Sequence, residues 1–326
     1  MPNPSLEGNS KDSASVPNPS LRLGTRGSAL AVAQASLVRD LLAGLGEQVE
    51  LITITTAGDE RPSEAPPAAP EGDKSRFVKE IEEALLAGEV DLAVHSAKDV
   101  PSELPHGLSI VAVPERADAR DALCMSAAGD GTLESLGAGA AIGTASLRRR
   151  AQLLAARPDL DVRPLRGNVD TRLRRLAEGE LEAIVLAAAG LVRLELETGT
   201  PIPERLMTPA PGQGCLVLEA RTGDDRARAP AARLTHRDSQ AALTAERALV
   251  TGIGASCHTP VGAHAHLQNG ALRLDAFAGM PDGSAWIRDS LEGVAEDPAA
   301  LGAAVAERLL AAGAAELLAD AERWSG

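Results

Sequence analysis

Aromatic side chains are nearly missing from this sequence, which has two Phe, two Trp and no Tyr. Burial must then come from Ala, Leu and Val, in many small contributions of roughly 25 cal/mol per Å². The same scarcity argues against a single-stranded nucleic-acid binder, whose bases stack on aromatic platforms. Cysteine is scarce as well, with three scattered residues, Cys124, Cys215 and Cys257. An odd count at irregular spacing argues against a disulfide framework and points to a reducing, cytoplasmic compartment. The cysteines lack CxxC spacing, so no metal site is expected of them. No apolar run is long enough to span a bilayer, and no Walker A or GxGxxG pattern follows a strand. Excess positive charge is absent too: the net charge is −14, which disfavours nucleic acid or an anionic membrane as partner.

What remains is an ordinary globular composition, 44 % apolar and 24 % charged, over 326 residues. That length calls for two or three domains. Residues 1–20 are rich in Pro, Ser and Asn without an apolar core, the mark of a disordered leader rather than a secretory signal. From Leu21 to about residue 208, short apolar runs alternate with helical patterns, which predicts α/β units with parallel sheets. Ser28 and Ser146 stand where helix caps belong. Residues 60–76, full of Pro, Ala, Glu and Ser, read as a mobile loop. After residue 237 the pattern changes. A helix from Ser239 to Val250 precedes a Gly-rich loop with Cys257, then strands joined by the hairpin signals Asn269–Gly270 and Pro281–Asp282–Gly283. One last helix is expected from Pro298 to about Arg323, completing a small α+β domain.

Four constellations could carry chemistry. DLAVHSAKDVP delivers Ser96, Lys98 and Asp99 at the C-terminal end of a buried strand, where ligands bind in open α/β sheets. The pair could serve as acid, base or stabiliser of a cation, or be a surface Lys–Asp pair. Arginines crowd the stretch from Arg148 to Arg175 of this acidic chain. Arg150, Arg157, Arg174 and Arg175 suit solvated helix faces. Arg148 and Arg149 instead follow GTAS at a strand-to-helix turn, whose free N–H groups favour an anion; Arg166 ends a strand and Arg172 lies in the first turns of the next helix. Arginine forks match carboxylates bidentately. In TRGS, Ser28 has a capping task and Arg26 has none. Finally, GIGASCHTPVG places Cys257 in a Gly-rich loop, more accessible than Cys124 or Cys215 in their apolar runs, and a thiolate is a strong nucleophile.

TRGS, FVKEIE, DLAVHSAKDVP, GTASLRR, RPLRGNVDTRL, AIVLAAAGLVRL, PGQG and ASCHTPVG, in that order, resemble the motifs of the porphobilinogen deaminase family from about Leu21 to the C-terminus. The resemblance implies two α/β lobes like those of periplasmic binding proteins and a third, cofactor-carrying α+β domain. The expected bounds are 21–115 with 213–232 for the first, 119–208 for the second and 237–326 for the third. It implies a transferase that joins four porphobilinogens into hydroxymethylbilane with loss of ammonia, for tetrapyrrole (haem) biosynthesis. The cofactor would be dipyrromethane, thioether-linked to Cys257. Porphobilinogen would lose ammonia to give a cationic methylene-pyrroline, which the terminal pyrrole attacks. Asp99 matches the catalytic carboxylate. Cys257, Ser28, Lys98, Thr144, Ser146, Arg148 and Arg149 match cofactor contacts, and Arg26, Arg166, Arg172 and Arg193 match substrate-binding arginines. Lys74 and Phe77 match the mobile loop, which departs from the family at Pro70, Gly72–Asp73 and Arg76. A monomer with a small-molecule substrate, without nucleic acid or membrane partner, is expected. A non-enzymatic two-lobed solute-binding protein would also explain the lobes and arginines, but has no use for Cys257 or a third domain.

Overall fold

A computed structural model of the chain describes residues 20–55, 78–126, 131–255 and 259–324. Residues 1–19 of the leader, the loop residues 60–76 with Lys74, Phe77, and Cys257 lie outside the described residues.

The first sheet contains β1 (Leu21–Arg26), β2 (Val49–Ile54), β3 (Leu92–Ser96), β4 (Leu108–Ala112) and β10 (Leu216–Arg221), in the order β2-β1-β3-β10-β4. The second contains β5 (Asp121–Met125), β6 (Ala141–Gly143), β7 (Asp161–Arg163), β8 (Ala183–Ala187) and β9 (Thr200–Pro201), in the order β7-β6-β8-β5-β9. The two share one plan. Three parallel strands lie side by side, and the next strand runs antiparallel to both of its neighbours. That antiparallel strand arrives from the other lobe in each case: β5 is the first strand after the chain leaves the first sheet, and β10 is the chain's return. Two crossing segments, residues 113–120 and 202–215, therefore connect the lobes.

Helices cover the sheets: α1 (Ala29–Gly44), α2 (Lys79–Leu86) and α6 (Asp225–Ala232) on the first, and α3 (Leu147–Ala156), α4 (Val169–Ala177) and α5 (Ala188–Arg193) on the second. The Ser28 hydroxyl accepts from Ala31 N at 3.4 Å and caps α1 as its sequence position predicts. With so few aromatics, the first core is built from residues such as Leu21, Leu23, Val38, Leu42, Leu92 and Leu218.

The third unit packs α7 (Arg237–Gly252), α8 (Pro298–Ala311) and α9 (Ala314–Arg323) on an antiparallel sheet of β11 (Val261–Gln268), β12 (Ala271–Gly279) and β13 (Trp286–Gly293). Asn269 and Gly270 both take positive φ, 53° and 84°, the conformation that the shortest hairpin turns demand. The single final helix expected from composition is in fact two. Gly313, at φ 94°, takes the left-handed conformation that ends α8, and the chain restarts as α9. The fold is thus α/β, with two sheet-containing lobes and a smaller C-terminal sheet-and-helix unit.

Candidate active site

Strand β3 ends at Ser96, whose hydroxyl accepts from Gln34 Nε2 at 2.9 Å. A 3-10 turn over Ala97–Asp99 follows and turns Lys98 and Asp99 out of the sheet, both half-buried. Gly212, at φ 74°, packs against the backbone of Ala97 and Lys98 so closely that a Cβ would lie 3.0 Å away. Gly214, at φ 87°, lies against the Ala117 carbonyl, where any side chain would collide. The PGQG motif thus needs its glycines because Gly212 lies against the turn that carries Lys98 and Gly214 against the other crossing segment.

Between those glycines, Gln213 joins the lobes. Lys98 Nζ donates to its Oε1 at 3.3 Å, while its Nε2 donates to Ala119 O at 2.7 Å and Asp121 Oδ1 at 3.0 Å. Asp121 begins β5 and is wholly buried. Arg148 NH1 lies 2.7 Å from its Oδ2, and Arg149 Nε donates to Oδ1 at 2.9 Å. Burial alone would raise the Asp121 carboxyl, but the Arg148 and Arg149 guanidiniums overcome that and hold it well below the ordinary carboxylate range. Arg148 also donates to Thr208 O and Arg149 to Val185 O. The two arginines of GTASLRR are therefore not bare cations at a helix start. They are buried, and share an internal carboxylate that the sequence reading missed.

The hydroxyls of the same turn support the helix. Thr144 Oγ1 accepts from Ser146 N at 3.2 Å, and Ser146 Oγ accepts from Arg149 N at 3.4 Å, capping α3. Arg172 in α4 donates through Nε to Gly167 O at 2.7 Å. Its guanidinium is pushed down to about 10, first by burial, then by the like charges of Arg149 and Arg166, with Asp99 opposing. That pattern places Asp99 of the first lobe and Arg149, Arg166 and Arg172 of the second within one another's electrostatic reach. Arg166 is exposed, between β7 and α4. Arg193 closes α5 and donates to Gly214 O at 2.7 Å; burial lowers its guanidinium as well, and its Nε is buried with no hydrogen-bond partner. Arg26 closes β1 beside the capping Ser28.

Two of the arginines expected on solvated faces have other tasks. Arg157 donates to the carbonyls of Leu133 and Leu136 and pairs with Asp159. Arg150 donates to Val162 O and lies over the Trp324 ring, 5.0 Å from its centroid. Arg174 and Arg175 do pair on the surface, with Glu178 and Glu180. Long-range carbonyl and ring partners separate the two groups, and no local pattern announces them.

Cys124 and Cys215 are buried, and burial pushes their thiols up to about 11 and about 12. Both stay protonated at neutral pH and are poor nucleophiles. The Cys257 loop joins α7 to β11, and α7 is bolted to the segment that follows Asp99. Arg247 NH2 donates to Pro101 O at 2.6 Å and Ser102 O at 2.9 Å, and Leu243 packs with Ala97 and Val100. One turn of α7 also carries Glu246, fully buried, which pairs with Arg116 at 2.6 Å and accepts from Gly212 N and Ala265 N. Both crossing segments and the third sheet thus converge on a single carboxylate.

Residues 21–229 match the family model described as porphobilinogen deaminase, dipyromethane cofactor binding domain, and residues 241–311 match the porphobilinogen deaminase C-terminal domain. A porphobilinogen deaminase of Roseiflexus castenholzii is 51 % identical over 308 residues, covering 92 % of this chain and 99 % of that protein. Those of Thermus thermophilus and Deinococcus radiodurans are 48 % and 46 % identical, each over 91 % of this chain and 98 % and 97 % of theirs. The solved methionine binding protein MetQ aligns at 13 % identity and a TM-score of 0.42, over 66 % of this chain and 89 % of that one, which adds nothing to the assignment. Both family regions match in order, and the relatives align almost end to end: this chain belongs to the porphobilinogen deaminase family.

Proposed function

We propose that this chain joins four porphobilinogens into hydroxymethylbilane, releasing ammonia, on a dipyrromethane primer carried by Cys257. The observation that carries the reading is the charge distribution between the lobes. Arg172 is held below its ordinary range by burial and by Arg149 and Arg166, with Asp99 as the opposing charge. A cluster in which Arg149, Arg166 and Arg172 outnumber Asp99 fits a guest that brings acetates and propionates. Each such group accepted by an arginine fork contributes roughly 1.5–3 kcal/mol. The Cys257 loop starts from a helix that Arg247 fastens beside Asp99, as a tether for that guest requires.

When bound, dipyrromethane supplies the free pyrrole carbon at which the chain grows. The protein's part is electrostatic. The Asp99 carboxylate accepts hydrogen bonds from pyrrole N–H groups and balances the positive charge that develops as the substrate's amine departs. Lys98 is held by Gln213, while Arg148 and Arg149, buried on Asp121, Thr208 O and Val185 O, supply positive potential from behind and must exchange an internal partner to bind a carboxylate directly. Arg26, Arg166, Arg172 and Arg193 hold the side chains of incoming and added units; Ser28, Thr144 and Ser146, whose oxygens already accept backbone N–H groups, offer their O–H donors. Lys74 and Phe77 match the family's mobile loop.

The reading extends to a three-domain monomer, with 21–115 and 213–232, 119–208 and 237–326 as its domains, acting in the cytoplasm. Free buried thiols at Cys124 and Cys215 suit a reducing compartment. Among the described residues, no helix is long and apolar enough to cross a membrane. A non-catalytic solute binder would leave Cys257 and the third sheet without a task.

Intact-mass measurement tests the reading. The protein purified from a host that makes porphobilinogen should carry the added mass of two linked pyrroles, absent in Cys257→Ser. An unmodified wild type would contradict it.

A further inference from the structure

His264 and His266 take no part in the function above. They lie two residues apart on β11 and so project from one face of the third sheet. Their rings stack with centroids 5.2 Å apart and planes inclined by 24°. Glu204, in the crossing segment between β9 and β10, reaches the same place, with Oε1 3.5 Å from His264 Nδ1. One candidate ligand atom from each of the three residues lies within 4.8 Å of the others. His264 is only 6 % exposed, and the Nδ1 atoms of both rings are buried with no hydrogen-bond partner. Buried polar atoms are almost always satisfied, and an orphaned one is destabilising. A buried imidazole nitrogen beside the Glu204 carboxylate, with the unpartnered Nδ1 of His266 on the same face, describes a set of lone pairs that a cation would satisfy.

We propose that Glu204, His264 and His266 form a binding site for a divalent transition cation, zinc foremost, that ties the crossing segment to the third sheet. Two imidazoles and a carboxylate are a donor set zinc takes, whereas magnesium and calcium prefer oxygen alone. Zinc bonds of roughly 2.0–2.1 Å in a tetrahedron put neighbouring ligand atoms about 3.4 Å apart, close to the 3.5 Å that separates Glu204 from His264. The nearby Asp275, opposite His264 in the strand register, is engaged by Arg273 at 3.0 Å, so three protein ligands and an open fourth position face the cleft. The site lies one residue either side of Ala265, whose N–H already binds Glu246. The cation would thus add a second link where the third unit meets the crossing segment.

Cysteine spacing could not reveal such a site, because its ligands are a His-x-His step and a glutamate sixty residues earlier.

The test uses the full-length, cofactor-carrying protein, stripped with EDTA and dialysed against micromolar zinc. Elemental analysis should find one zinc per chain, the melting temperature should rise, and cobalt should give the visible absorption of a tetrahedral N/O site. His266→Ala and Glu204→Gln alter half-exposed positions, so the metal-free variants should melt with the wild type. Each should weaken zinc binding at least about tenfold and lose the thermal shift. No stoichiometric uptake by the wild type would overturn the proposal, as would uptake unchanged in both variants, which would place the metal elsewhere.

Discussion

Gln213 and Asp121 meet across the junction of the first two sheets: Nε2 of the one donates to Oδ1 of the other over 3.0 Å. Through Gln213 the Asp121 carboxylate is connected to Lys98 in the first lobe, and directly it holds Arg148 and Arg149 in the second. A single buried anion therefore sets the positions of three cations on both sides of the proposed groove.

Asp121→Asn should unfold the site from within. It leaves Arg148 and Arg149 buried with no counter-charge, which costs about 3–5 kcal/mol. Urea denaturation should register that loss, and intact mass should show cofactor assembly failing with it. The pH sign follows from the depressed carboxyl. Its contribution is complete above the ordinary carboxylate range of about 3.9 and is lost only as pH falls below that range. The change in wild-type stability between pH 7 and pH 5 should owe nothing to this residue.

Glu82 should behave in the opposite way. Burial first, then Glu219 nearby, push it up to about 7, with His95 opposing, and its Oε1 is buried with no hydrogen-bond partner. The folded protein keeps this proton while the unfolded chain releases it near pH 4.3 or so. Stability should therefore fall as pH rises from that value towards 7 and level off beyond. Glu82→Gln cannot titrate, so denaturation at pH 5, 6 and 7 should show a shallower decline than wild type. Equal slopes would mean Glu82 is ionised in the fold.

Glu246→Leu removes the acceptor shared by Arg116, Gly212 and Ala265. The stranded Arg116 charge alone predicts a loss of about 3–5 kcal/mol. Because the three units meet there, limited proteolysis should cut the variant first at residues 113–120 or 202–215. Cuts confined to other loops would show that Glu246 is not the junction.

Arg166→Leu separates binding from folding. The side chain is exposed, so stability should stay within about 0.5 kcal/mol of wild type. Elongation should nevertheless stall, with partly extended enzyme accumulating in the mass spectrum. Unchanged turnover would make Arg166 an ordinary surface arginine.

Much of this site was legible in the sequence because its parts are local. GTAS ahead of a helix is a cap, and Ser146 caps α3. DLAVHS is a buried strand, and Asp99 falls where its end turns out of the sheet. Partners far along the chain were not legible. Asp121 lies 27 residues before Arg148, in a strand that reads as apolar, so the arginines looked unpaired. Arg150 and Arg157 looked like solvated helix residues because Trp324 and the Leu133 and Leu136 carbonyls reach them only in the fold. The break at Gly313 is local, yet the Ala and Leu on both sides share one helical pattern, and only the positive φ separates α8 from α9.

The most direct measurement compares Asp99→Asn with wild type, following both intact mass and turnover of porphobilinogen. The amide keeps the shape of the side chain but cannot balance a developing cation. The variant should still acquire pyrrole mass on Cys257 while turning over at least about 100-fold more slowly. Near-normal turnover by Asp99→Asn would contradict the role given to that carboxylate and, with it, the groove built around it.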